Sequence, residues 1–143
     1  MKGIAMEAAV TIALLDAAGD VLLVRDLGHT DPQWKFPGGH VKPEETPAVA
    51  VIRETKEESG VSVSENLLQV LDTELRPSRE GGTHKHIFFG ATLPGTFKER
   101  GLKDYGASGE ETRIVSLHKL DSLLEFEPHR ALLKKLHNQA FYA

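Results

Sequence analysis

The 143-residue chain contains no cysteine, which removes disulfides, thiol nucleophiles and thiolate metal sites together. It also lacks a basic excess, since 17 Lys and Arg stand against 21 Asp and Glu for a formal charge of −4. That balance argues against a protein that coats a polyanion through a broad basic surface, so nucleic acid is not an expected partner. A pocket for a single nucleotide stays open. No apolar run is long enough to span a bilayer; the best, residues 8–15, follows the acidic Glu7. No internal repeat or low-complexity tract interrupts the chain. What remains for chemistry is carboxylates, histidines, hydroxyls, lysines or a hard metal.

With 40% apolar and 27% charged residues, the composition is that of a globular protein, and the length suits one domain over residues 1–143. A chain of this size buries about 68–70% of its unfolded surface. Val10, Ile12 and Leu14 alternate with Ala9, Thr11 and Ala13, a buried first strand rather than a secretory signal, so a cytoplasmic location is expected. A turn at residues 17–20 and a second strand at 21–24 make a hairpin from Glu7 to Asp26. Trp34-Lys35-Phe36 reads as a short strand stopped by Pro37-Gly38-Gly39. Thr46 is placed to cap a helix with Pro47 at its first position, running to about Ser59 and ending at Gly60. Strands are expected near residues 67–75, 84–93 and 113–117. A closing amphipathic helix over 128–141 brings Leu132, Leu133 and Leu136 to one face. The order of elements predicts a mixed-sheet α/β sandwich.

On the expected helix, Glu54, Glu57 and Glu58 share an arc of roughly 100°, while Ala48, Val51, Ile52, Thr55 and Ser59 form the apolar stripe. Like charges at these spacings repel by about 0.2–0.5 kcal/mol per pair, and two of them sit at the negative end of the helix dipole. A divalent cation turns that repulsion into ligation, and hard oxygens suit Mg²⁺ or Mn²⁺. The alternative is a solvated acidic face. Gly38-Gly39 just upstream leaves a bare backbone whose carbonyl is free to complete a metal site.

The spacing as a whole is more specific. Gly39, five residues, Glu45, seven residues, then Arg53-Glu54-Thr55-Lys56-Glu57-Glu58-Ser59-Gly60-Val61 resembles the Nudix box of the Nudix hydrolases. All seven specified Gly, Glu and Arg positions match; Thr55 departs, standing where the family usually carries Leu, Ile or Val. Its place in the apolar stripe means that its hydroxyl should bond back to the Val51 carbonyl. Outside the box, Trp34 to Gly39 is similar to the usual entry and Glu111 to Leu117 to the usual late strand, with Leu120 to Leu123 a short helical turn.

The resemblance implies a Nudix-type α/β/α sandwich with a mixed β-sheet. It implies metal-dependent cleavage of a diphosphate linkage in a nucleoside diphosphate derivative, a small nucleotide-type substrate, with Mg²⁺ or Mn²⁺. By similarity Glu54, Glu57, Glu58 and the Gly38 carbonyl are metal ligands, Arg53 orients the carboxylates and Glu45 supports the shell. The general base is Glu57 or a late-loop glutamate, Glu111 ahead of Glu110. The competing function is a catalytically quiet Nudix domain that binds a nucleotide metabolite as a sensor; against it, every box glutamate is retained. Family members are often dimers, so a homodimer is a possible assembly. For substrate contacts the sequence offers His84 and His86, Trp34, Arg25, Arg79 and a glycine-rich stretch, residues 101–109, readable as a lid. The histidines read more readily as a solvated strand face and Trp34 as core, the arginines equally as surface charges, and none selects a nucleotide.

Overall fold

The structure, a computed structural model, describes residues 7–77, 81–107 and 109–137. Its strands are β1 (Glu7–Leu15), β2 (Asp20–Asp26), β3 (Gly38–His40), β4 (Gln69–Pro77), β5 (Thr83–Thr92) and β6 (Glu110–Ser116). Its helices are α1 (Pro47–Ser59), α2 (Leu120–Leu123) and α3 (Glu127–His137), with 3₁₀ turns at Glu65–Leu67 and Leu117–Lys119.

The hairpin forms as the alternation requires. Asp16 closes it: one carboxylate oxygen accepts from the Ala18 and Asp20 amides at 3.0 and 3.1 Å, the other from Phe97 at 3.1 Å. Gly19 supplies the positive φ of +80° that the turn needs. The strands run in the order β4-β5-β1-β2-β6, with β3 also on β1; β1 and β5 are parallel and every other pair is antiparallel. Because β1 is central, both of its faces are buried. Val10, Ile12 and Leu14 pack with Ala50 and Val51 of α1, and Ala13 and Leu15 pack with Leu120, Leu132, Leu133 and Leu136 of α2 and α3. The sheet therefore lies between two helical layers, as the sequence implied. Each fully buried aliphatic side chain in these cores contributes about 1.5–3 kcal/mol.

One departure from expectation shapes the site. Trp34-Lys35-Phe36 is not a strand; only Lys35 bridges Val24, with both bonds at 2.9 Å, and the strand is Gly38–His40. The Trp34 carbonyl is taken by the Glu125 and Phe126 amides, and Pro37 has no N–H to give, so the ladder cannot extend. The segment instead wedges between β1 and β2, which are paired in register at Leu15↔Val21, and its end zips onto β1 as β3.

Helix α1 has the expected bounds. Thr46 Oγ1 accepts from Val49 N at 3.2 Å, Pro47 starts the helix, and Gly60 ends it in the left-handed conformation. Thr55 is fully buried and its hydroxyl donates to the Val51 carbonyl at 2.7 Å. The buried set differs in part from the wheel: Ala50 and Glu58 are buried, whereas Ala48 and Ile52 are half-buried. Strand β4 begins two residues after the expected 67 because Glu65–Leu67 turns first. The predicted end of the last helix beyond residue 137, and Arg79, lie outside the described residues.

Candidate active site

Strand β3 reaches α1 at its acidic face, and a side chain on either of its glycines would have to displace a neighbour. A Cβ on Gly39 would lie 2.6 Å from the Glu54 carboxyl carbon, and one on Gly38 would lie 2.1 Å from the Val10 carbonyl oxygen. Gly38 N donates to Glu58 Oε1 at 3.0 Å, joining the strand to the last turn of the helix.

Arg53 organises the rest. Its Nε and Nη2 donate to the two Glu45 oxygens at 2.6 and 2.9 Å, a bidentate pair. Nη1 donates to Glu54 at 2.9 Å and Glu57 at 3.3 Å, and Nη2 also reaches the His40 carbonyl at 3.1 Å. One guanidinium thus ties loop, strand and helix together. The Arg53 bond, helped by the Lys42 amide, lowers the Glu45 carboxyl to a pKa of about 2, and the same pairing raises Arg53. Glu58 goes the other way. Burial pushes its pKa up to about 8 against the Gly38 hydrogen bond, and the nearby Glu54 and Glu110 charges add to the rise.

The two late glutamates part company. Neighbouring strand residues point to opposite faces, and Glu110 falls on the α1 side. Its Oε1 is buried and, among the described residues, has no hydrogen-bond partner, and a Cβ on Gly106 would meet both that oxygen and the Glu58 carbonyl. Glu111 pairs with Arg25 at 2.6 Å, and Arg25 lies over the Trp34 ring at 4.6 Å in the opposite core. The structure therefore brings Glu110, not Glu111, to the box.

These residues fit a divalent cation. Glu54, Glu57 and Glu58 are hard donors on one helix end, the Gly39 cradle leaves no room for a side chain, and Glu110 has an unpartnered buried oxygen. Among the described residues no three His, Asp or Glu side chains already converge at ligand distance; Arg53 and the Gly38 amide hold the box carboxylates in their own hydrogen bonds.

Gly38 and Gly39 also line a cleft of about 240 Å³ that runs to Lys35, Arg76, His84, His86, Phe126 and His129. His86 was foreseen; Thr11 and His129 were not. His129 shares the helical spacing of Leu132, Leu133 and Leu136, so a polar residue on that apolar stripe was the available signal. Trp34 is 7% exposed and belongs to the core, not to the rim. The described part of the 101–109 stretch is no free lid. Lys103 N and Ala107 N donate to the Ser59 and Glu57 carbonyls at 3.0 and 2.8 Å, satisfying the open end of α1.

A NUDIX-domain family model matches residues 6–136. The chain belongs to the Nudix family. An RNA pyrophosphohydrolase of Alkalilimnicola ehrlichii is 43% identical over 53 residues, covering 37% of this chain and only 28% of that protein. Among solved structures, the NUDIX domain of Shewanella oneidensis NrtR, complexed with ADP ribose, superposes with a TM-score of 0.73 at 20% identity, covering 94% of this chain and 88% of that one. A C. elegans Ap4A hydrolase gives 0.68 at 21% identity, covering 97% and 100%. A MutT/nudix family protein from Enterococcus faecalis gives 0.63 at 29% identity, covering 80% of this chain but 45% of that one. The likeness to the first two structures is one of fold. In this Nudix chain the Arg53 and Gly38–Gly39 contacts give the box its physical meaning: they dock one strand end on one helix end.

Proposed function

We infer that the protein is a metal-dependent pyrophosphohydrolase cleaving the diphosphate linkage of a nucleoside diphosphate derivative. The observation that carries this reading is the docking of Gly38–Gly39 on the carboxylate end of α1, with Arg53 holding Glu45, Glu54 and Glu57 in one hydrogen-bonded set. Glu54, Glu57, Glu58 and the Gly38 carbonyl would hold Mg²⁺ or Mn²⁺, which when bound supplies charge neutralisation of the phosphate and a more acidic water. Glu57 is the box candidate for general base, since its side chain is 44% exposed and tethered by Arg53 only at 3.3 Å. Glu110 takes the place of Glu111 as the late-loop candidate, because Glu111 is neutralised by Arg25 on the other face. Arg53 is a positioning residue, its guanidinium fully occupied by protein acceptors.

The Nudix membership and the stretch shared with an RNA pyrophosphohydrolase support pyrophosphate chemistry. A net charge of −4 favours a small nucleotide over a nucleic-acid end as substrate. The test is a panel of nucleoside triphosphates, dinucleoside polyphosphates and nucleotide sugars with Mg²⁺ or Mn²⁺, followed by ³¹P NMR. Cleavage at a diphosphate bond that stops in EDTA is expected. Full turnover in excess EDTA, or none with any substrate and either metal, would overturn the reading.

A further inference from the structure

Opposite Gly38–Gly39, the cleft ends on a chain of polar groups buried among aromatic rings. The Phe36 amide donates to His129 Nδ1 at 3.1 Å, Thr11 Oγ1 lies 3.5 Å from His129 Nε2, and the same oxygen lies 2.7 Å from His86 Nε2. Thr11, His86 and His129 are 3%, 6% and 6% exposed. The rings cannot easily turn. His129 stacks on Phe36 at 5.5 Å and on His86 at 6.5 Å, and Phe126 meets it edge-on at 4.7 Å.

Hydrogen-bond arithmetic fixes the protons. An acceptor role at Nδ1 leaves a neutral His129 with its hydrogen on Nε2, aimed at Thr11 Oγ1. The threonine has one hydrogen, and the nearest acceptor for it is His86 Nε2. If His86 also donated to Thr11, that hydroxyl hydrogen would be buried without a partner, an avoidable cost. His86 therefore accepts at Nε2 and carries its proton on Nδ1. Burial keeps both rings uncharged at neutral pH, lowering His86 to about 4 and His129 to about 3. Among the described residues nothing bonds His86 Nδ1, that atom is not among the buried unpartnered ones, and His86 lines the cleft. A metal-binding role suits the pair poorly, because the Nε2 atoms of both rings are committed to one hydroxyl.

The geometry points to His86 as a specificity-determining residue whose Nδ1–H, fixed by the Phe36–His129–Thr11 chain, reads an uncharged acceptor on the nucleobase of the substrate. A neutral donor suits a base carbonyl or ring nitrogen, whereas a phosphate is better met by a cation. The cations of the cleft, Lys35 and Arg76, are separate residues from this neutral floor. The inference rests on the pyrophosphohydrolase reading for the substrate's class, while the proton placement stands on the structure alone.

The experiment has two arms that need no turnover. Long-range ¹H–¹⁵N NMR of the intact protein at neutral pH should show His86 protonated on Nδ1 and His129 on Nε2. Calorimetry with AMP, GMP, CMP and UMP against ribose 5-phosphate should show at least one nucleotide bound more tightly than the base-free compound. His86→Leu should reduce that advantage by about tenfold. His86→Asn, whose amide nitrogen sits near the Nδ1 position, should restore most of it. An Nε2–H or doubly protonated His86, no preference for any nucleotide over ribose 5-phosphate, or a preference unchanged in His86→Leu would overturn the assignment. Should His86→Leu not fold, the tautomer and an Asn variant that retains the preference still decide. Retained base preference in a protein that cleaves nothing in the substrate panel would sink the hydrolase reading and leave His86 standing.

Discussion

Glu58 shows how far a single residue's role depends on what surrounds it. On the helical wheel it is one of three like carboxylates, but in the fold it is buried, bonded to the Gly38 amide and pushed up to about 8. A buried carboxyl in that state is poor surface decoration and a good site for a cation to ionise. Glu58→Gln keeps the shape and the acceptor for Gly38 N while removing the charge. Turnover should fall by orders of magnitude, each tenfold step being about 1.4 kcal/mol of transition-state stabilisation. The metal-free melting temperature should hold or rise. Glu65→Gln, an exposed residue outside the helix, is the control. Equal turnover in the two variants would reduce the acidic helix to a solvated face. Thr55 belongs to the same scale. Its hydroxyl bonds inside its own helix, so Thr55→Val should keep activity and change stability by no more than about 1 kcal/mol upward. Loss of activity with an intact melt would show a role for the hydroxyl.

Between elements, the decisive contact is that of β3 with α1. The helix was legible to the residue, because Thr46, Pro47 and Gly60 are local signals that act through the backbone nearest them. The position of β3 was not. Its register depends on where Trp34 sends its carbonyl, to the Glu125 and Phe126 amides some ninety residues on. The same distance hid the difference between Glu110 and Glu111. Adjacent in sequence, they are separated by the strand's alternation, and only the pairing of β6 with β2 says which face meets Arg25. Gly39→Ala tests the junction. Its methyl would intrude on the Glu54 carboxylate, so that carboxylate must swing away from Arg53, with little cost in stability and a loss of most activity. Gly19→Ala, in a turn with open space around it, is strained by its φ but remote from the box, and it should cost stability without comparable loss of turnover. If Gly39→Ala retained full activity, the close approach would not be what builds the site.

Across the whole molecule, titrating groups in two places give acid stability a two-stage form. His86 and His129 join β1, β5, α3 and the β3 entry segment through Thr11 and Phe36, and burial depresses both rings from 6.5 to about 4 and about 3. The unfolded chain therefore binds protons in that range that the native protein refuses. Their contribution is complete above pH 6.5 and is lost as the pH falls toward 4 and then 3. Glu45 has the opposite charge type and a lower window: depressed from 4.5 to about 2 by Arg53, it contributes fully above 4.5 and loses its share only below that. Between pH 6.5 and 4.5 a falling melting temperature is thus a histidine signal, opposed by Glu58, whose carboxyl, raised to about 8, takes up a proton in the native protein before it does in the unfolded chain; the Glu45–Arg53 pair adds to the fall only at lower pH. His129→Gln should flatten the upper stage, because an amide retains an acceptor for Phe36 N but takes up no proton. Glu45→Gln should lower stability near neutral pH and leave the 6.5 to 4.5 slope in place. Melting curves at half-unit pH steps for the parent and both variants separate the two. A His129→Gln slope equal to the parent's would mean that the buried histidines do not govern the fold's response to acid.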